Sequence, residues 1–138
     1  MRFGGANNEI SSIDALEDKS ELEYINFENN FIEDISALKN SYKLETVYLG
    51  NNRITNVDAL KDKKLIKNLE LEENRISNIE ALSSLDAVER LYLNKNNIKD
   101  FSPIANLKNL ETLFVSQNQT LNFDVLHEIG INLRNKDF

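Results

Sequence analysis

Six asparagines, Asn8, Asn30, Asn52, Asn74, Asn96 and Asn118, recur along this chain at steps of 22 residues. The same step joins Ile10, Ile32, Ile54, Ile76 and Ile98, and it joins Leu16, Leu38, Leu60, Leu82, Ile104 and Leu126. Three further columns run Ile13, Ile35, Val57, Ile79, Phe101, Phe123; Ile25, Val47, Leu69, Leu91, Leu113; and Phe27, Leu49, Leu71, Leu93, Val115. One polar and five apolar columns in a single register mark a unit that buries its apolar side only by stacking on copies of itself. No other property of the chain limits its fold so tightly.

The segment from Leu44 to Ile54 shows the unit cleanly: L-x-x-L-x-L-x-x-N-x-I, then an apolar residue three positions on and another three after that. Alternation around Val47 and Leu49 is the period-2 pattern of a strand with one buried face. Equivalent strands then stack in parallel at ~4.8 Å per step. An Asn turned inward after each strand offers two donors and an acceptor to the backbone of neighbouring turns, so the column reads as a ladder. The rest of the unit reads as one tight helical turn. Asp14, Ser36, Asp58, Ser102 and Asp124 share a position and are expected to act as N-caps, with Glu80 the exception. Ala15, Ala37, Ala59, Ala81 and Pro103 follow them, and Pro suits the first helical position.

These residues carry a resemblance. The repeat is similar to the 22-residue leucine-rich-repeat class of bacterial internalins and of the eukaryotic protein-phosphatase-1 regulatory subunit of that class. The run from Asn97 to Leu110 is the most internalin-like stretch, and the likeness extends from about Phe3 to Leu126. It implies an α/β fold: a right-handed leucine-rich-repeat solenoid with a concave parallel β-sheet and short helical or 3-10 turns on the convex side. The expected organisation is a single domain over 1–138, with a partial repeat 1–21 and full repeats at about 22–43, 44–65, 66–87, 88–109 and 110–131. A C-terminal cap is expected over about 122–138, with Phe123, Leu126, Ile129 and Leu133 along one side of a closing helix.

Departures from the pattern matter too. Gly5 stands where later repeats have Phe, Leu or Val, Ser41 and Lys63 replace the apolar residue seen as Leu85 and Leu107, and Thr120 sits in the Ile column. Neither the helical cap that opens an internalin nor the immunoglobulin-like domain that follows is visible. The N-terminal edge therefore reads as an uncapped parallel edge, prone to rapid exchange before Ile25 or to self-association.

Composition narrows the function. With 16 Lys and Arg against 23 Asp and Glu, the net charge is -7. That disfavours a nucleic-acid partner, which requires a basic face for phosphates, and an anionic membrane surface. No apolar run approaches the ~20 residues that span a bilayer, so membrane insertion is not expected. The start, from Met1 to Gly5, shows no apolar signal core. An internalin-like role implies the cell surface or secretion, and a phosphatase-subunit-like role the cytoplasm.

Chemistry is sparse. Without cysteine there is neither a disulfide nor a thiolate site, and the four glycines, Gly4, Gly5, Gly50 and Gly130, build no phosphate-cradling loop. His127 is the one histidine, which excludes paired-His metal sites and most triads, and it reads as a surface or capping residue. Glu70, Glu72 and Glu73 form an acidic run without the glycine turns of a calcium loop, and read as a solvated face. Lys61, Lys63, Lys64 and Lys67 read as a solvated edge of the outer turn. Neither an enzyme nor a cofactor is expected.

The stronger signal lies in strand positions that face away from the core. One such column is Asn26, Tyr48, Glu70, Tyr92, Phe114; its neighbours are Tyr24, Thr46, Asn68, Arg90, Thr112 and Glu28, Gly50, Glu72, Asn94, Ser116. Rings aimed at water are not explained by the core, and Tyr92 and Phe114 are expected ~5 Å apart as a stacked pair. Aromatics are enriched at binding hot spots. Tyr24, Tyr48, Glu70, Glu72, Arg90, Tyr92 and Phe114 are thus the candidate partner-binding residues. They suggest a protein-protein interaction module that engages a partner of basic or mixed charge on its concave face. Resemblance gives that module two forms, an internalin-like bacterial adhesion or host-interaction domain and an intracellular regulatory scaffold.

Overall fold

In the computed structural model, which describes Met1–Phe138, six strands of three residues alternate with five short 3-10 turns, and an α-helix and a two-residue strand follow the sixth strand. The strands are β1 (Arg2–Gly4), β2 (Tyr24–Asn26), β3 (Thr46–Tyr48), β4 (Asn68–Glu70), β5 (Arg90–Tyr92), β6 (Thr112–Phe114) and β7 (Asn135–Lys136). All seven form one parallel sheet in sequence order. Ile25 pairs with Val47, Val47 with Leu69, Leu69 with Leu91 and Leu91 with Leu113, so the 22-residue columns are the rungs of the sheet. Behind it, 33 buried apolar residues form one continuous cluster. The architecture is an open leucine-rich-repeat solenoid, with the sheet on the concave side and the turns on the convex side.

The asparagine column is the ladder that the spacing predicts. Asn74 Nδ2 donates to the carbonyls of Leu49, Leu71 and Glu72, while its Oδ1 accepts from the Ile54 N–H at 3.0 Å. Asn52 and Asn96 repeat the arrangement one turn to either side. Each amide thereby ties its own turn to the previous one. The residue just before it, at Asn7, Asn29, Asn51, Glu73, Lys95 and Gln117, adopts positive φ and swings the chain out of the sheet. Asn tolerates that conformation better than Glu, Lys or Gln.

The turns are Asp14–Leu16, Ser36–Leu38, Asp58–Leu60, Glu80–Ser84 and Ser102–Ile104. Asp14, Ser36, Asp58 and Ser102 do not cap them by side chain. The cap lies two residues earlier: Ser12, Asp34, Asn56, Asn78 and Asp100 accept from the backbone N–H of residues 14, 36, 58, 80 and 102 at 2.7–3.1 Å. In a turn this tight the first N–H points back along the chain, so the acceptor must stand ahead of it.

Two polar replacements are buried inside the convex layer. Ser41 donates its hydroxyl to the Lys19 carbonyl at 3.2 Å. Lys63 is not part of a solvated edge: it is 0% exposed, donates to the Lys39 carbonyl at 2.9 Å and lies 4.5 Å from the Tyr42 ring centre. Lys61 and Lys64 are exposed as expected.

At the C-terminal end, α1 (Phe123–Gly130) lays Leu126 into the core, with Ile129 and Leu133 packed against it. Phe123 leaves its apolar column and is 70% exposed. Beyond the helix the chain returns to the sheet as β7, a strand without a counterpart in the expected cap. Asp137 then accepts from the N–H groups of Val115 and Ser116, which closes backbone groups at the end of β6. No helix is long and apolar enough to cross a membrane.

Candidate functional site

The exposed columns fall where strand alternation puts them. Asn26, Tyr48, Glu70, Tyr92 and Phe114 pair in register across β2 to β6, and Tyr24, Thr46, Asn68, Arg90 and Thr112 form the next row. The aromatic side chains meet in two pairs. Tyr24 and Tyr48 lie 5.8 Å apart, and Tyr92 and Phe114 lie 5.0 Å apart. Both pairs are edge-to-face, at interplanar angles of 83° and 77°, so the expected stacking of Tyr92 on Phe114 gives way to the arrangement that the ring quadrupole favours. Arg2 extends the first pair, its guanidinium 4.1 Å from the Tyr24 ring centre. Arg90 is exposed and donates to Asn68 Oδ1 at 2.8 Å. Thr112 is buried, beside Asn135 of β7, and takes no part in the open surface.

Between the aromatic pairs the carboxylates converge. Oxygens of Glu28, Glu70 and Glu72 lie within 4.8 Å of one another, on half-buried side chains. Glu28 and Glu72 stand in one column two strand steps apart, roughly 9.6 Å at the backbone. Gly50 occupies the step between them, and a Cβ there would collide with the Glu72 carboxylate. The missing side chain is what lets the two glutamates approach. Glu70 and Glu72 are thus no solvated face, whereas Glu73 does point outward and pairs with Lys95 at 2.7 Å.

Electrostatics follow from this crowding. Burial, helped by the charges of Glu72 and Glu28, pushes the Glu70 carboxyl up to about 7. Glu72 is raised as well, mainly by burial. The Tyr48 phenol is raised by burial and by the Glu70 charge beside it. Two acceptor oxygens in this region, Oε2 of Glu72 and Oδ1 of Asn94, are shielded from water and receive no hydrogen bond.

Of the seven predicted residues, Tyr24 and Tyr48 form one group, Tyr92 and Phe114 another, and Glu70 and Glu72 the acidic centre, with Arg90 beside it. Sequence reading passed over Glu28, Asn94 and Arg2 as members. A Glu-Gly-Glu run down one column was the available signal for Glu28.

Residues 42–98 match the family described as leucine rich repeat, and residues 86–126 match the family of paired leucine rich repeats. Among solved structures the chain is similar to an internalin (inlF) of Listeria monocytogenes, with 26% identity and a TM-score of 0.86 over 99% of this chain and 47% of that one. It is also similar to a leucine-rich-repeat protein of Leptospira interrogans, at 19% identity and a TM-score of 0.90 over 100% of this chain and 37% of that one. Listeria internalin C2 matches at 21% identity and a TM-score of 0.72, over 98% of this chain and 70% of that one. The chain therefore spans less than half of the first two proteins. No curated protein sequence matches it significantly. Two family matches that together run from residue 42 to 126, and the shared solenoid, make this chain a leucine-rich-repeat protein that resembles the internalins.

Proposed function

We propose that the concave face binds a protein partner through Tyr24, Tyr48, Glu70, Glu72, Arg90, Tyr92 and Phe114, as an internalin-like bacterial adhesion or host-interaction module. Leucine-rich-repeat folds generally mediate protein-protein interaction, which supports the coarse reading. The observation that carries the specific one is the pair of aromatic contacts on the solvent side of the sheet. A core of 33 apolar residues already holds the strands from behind, so rings on the open side are surplus to the fold. Tyr and Phe are rigid anchors that lose little conformational freedom on binding. The likeness to a Listeria internalin at 26% identity supports the finer assignment.

The test begins with affinity capture from lysate and from host membranes, followed by Kd measurement on the partner found. Tyr92→Ala and Phe114→Ala should each weaken binding by roughly thirtyfold, since a central anchor commonly contributes at least ~2 kcal/mol. Their melting curves should show intact folding. Charge reversal of Lys61 and Lys64 on the convex side should leave affinity unchanged. The reverse pattern would move the site to the convex side.

A further inference from the structure

The two ends of the solenoid are finished differently. At the C-terminal end α1 lays Leu126 into the core, and β7 is a strand of two residues. Lys136 and Asp137 there turn back onto the chain, at the Gly130 carbonyl and the Val115 N–H. A very short strand carrying a lysine is a common guard against edge pairing. At the other end β1 has three residues, all exposed, with Phe3 at its centre. The Met1 carbonyl accepts from the Glu23 N–H and the Gly5 N–H donates to the Asn26 carbonyl, so both residues turn their backbone groups to β2. These groups alternate in direction along a strand, so Arg2 and Gly4 aim theirs out of the sheet, where the chain offers no partner. Phe3 begins the column that continues as Ile25 and Val47. Those two are 0% exposed, whereas Phe3 is 40% exposed and Met1 beside it 50%.

We propose that β1 pairs with β1 of a second copy of this chain, antiparallel across a twofold axis at Phe3. The edge is complementary to itself. With Phe3 opposite Phe3, Arg2 of each copy faces Gly4 of the other. These are the residues whose N–H and C=O groups are free, and in this register each such pair exchanges both hydrogen bonds. Like charges directly opposite would oppose the pairing, but here each arginine meets a residue without a side chain. The Arg2 guanidinium also lies back over its own Tyr24 ring, 4.1 Å from the centre, and leaves that space clear. Phe3 falls at the non-hydrogen-bonded pair, where side chains approach most closely, so the two rings cover the exposed ends of the two cores. An axis normal to the sheet keeps both concave faces on one side and joins the two seven-stranded sheets into one surface. Assembly then closes at two copies, because the contact is isologous and β7 offers no matching edge.

The test is the mass of the intact chain by sedimentation equilibrium. One short strand and a few apolar side chains make a small interface, so a rise from monomer to dimer is expected between ~10 μM and ~1 mM. Arg2→Pro removes only an outward N–H and should weaken the dimer at least tenfold, with the melting point unchanged. A second variant reads the register directly, since the chain has no cysteine of its own. Residues opposite one another at a non-hydrogen-bonded site have Cα atoms about 4.5 Å apart, within reach of a disulfide. Phe3→Cys should therefore oxidise to a covalent dimer at least tenfold faster than Lys61→Cys on the convex side. A monomer that persists at ~1 mM would overturn the pairing. So would equal oxidation rates for the two cysteine variants, an Arg2→Pro dimer as tight as the original, or growth into open-ended polymers, which requires head-to-tail contact. The concave-face reading is tested apart from this, because Arg2→Pro and Phe3→Cys leave Tyr92 and Phe114 untouched.

Discussion

Asn74→Ala tests whether the asparagine ladder bears the stacking of the turns. The amide makes four hydrogen bonds, but their losses are unequal. The Leu49 carbonyl keeps Asn52 Nδ2 as donor, the Leu71 carbonyl keeps Asn96 Nδ2, and the Glu72 carbonyl keeps the Asn51 N–H. The Ile54 N–H keeps nothing, and Ile54 is 0% exposed. One orphaned buried donor costs about 1–3 kcal/mol, and the weakened carbonyl bonds add roughly 1 kcal/mol more. A total near ~3 kcal/mol corresponds to a fall of roughly 10 °C in Tm for a domain of this size. Thermal melts by circular dichroism, with urea unfolding to check that the slope is unchanged, measure it. Asn97→Ala is the control, because Asn97 is exposed and its side chain bonds to nothing. Asn8→Ala should also be mild, since Asn8 is exposed and reaches only the Gly5 and Ala6 carbonyls of its own turn. Equal melting points for Asn74→Ala and Asn97→Ala would refute the ladder.

Three further outcomes are expected. Glu70 binds its proton more tightly folded than unfolded, so its contribution to stability is complete at low pH and is lost as pH rises from about 4.5 through about 7; discounted for partial exposure it is on the order of 1–2 kcal/mol, and Glu70→Gln should flatten the decline in a pH series of urea melts. Lys63 behaves oppositely: burial lowers its ammonium to about 8, so the unfolded chain binds more protons above that pH and stability should climb between about 8 and 10.5. Lys63→Met should remove that climb and stabilise the protein at pH 7 by roughly 1–2 kcal/mol; a loss of stability instead would mean that the bond to Lys39 outweighs the cost of the buried charge. Gln117→Gly should raise stability by about 0.5–1 kcal/mol by relieving a φ of 57° at an exposed position, and an unchanged denaturation midpoint would count against strain there.

Much of this was legible in the residues alone. A 22-residue period specifies which side chain lies above which, because every turn repeats the same path and the sheet pairs residue n with residue n+22. The buried columns, the ladder and the outward rows at Tyr48, Glu70 and Tyr92 all follow from that translation and from strand alternation. Even the distance between Tyr92 and Phe114 follows, since it is set by strand spacing. Their relative tilt does not, because it depends on how each ring rotates against its neighbours.

What the period by itself could not decide is whatever depends on contacts outside it. Lys63 is drawn into the convex layer because Tyr42 and the Lys39 carbonyl, contributed by the turn before, receive its ammonium. Thr112 is covered because β7 returns to the sheet, a pairing fixed by the path after α1 and by no repeat column. The convergence of Glu28, Glu70 and Glu72 required a side chain to be absent at Gly50, so that residues 44 positions apart reach each other over an empty step. Columns are determined by local sequence because stacking multiplies a local pattern along one axis. The acidic cluster was decided by tertiary structure, because its geometry depends on side chains from two non-adjacent turns and on the space that Gly50 leaves between them.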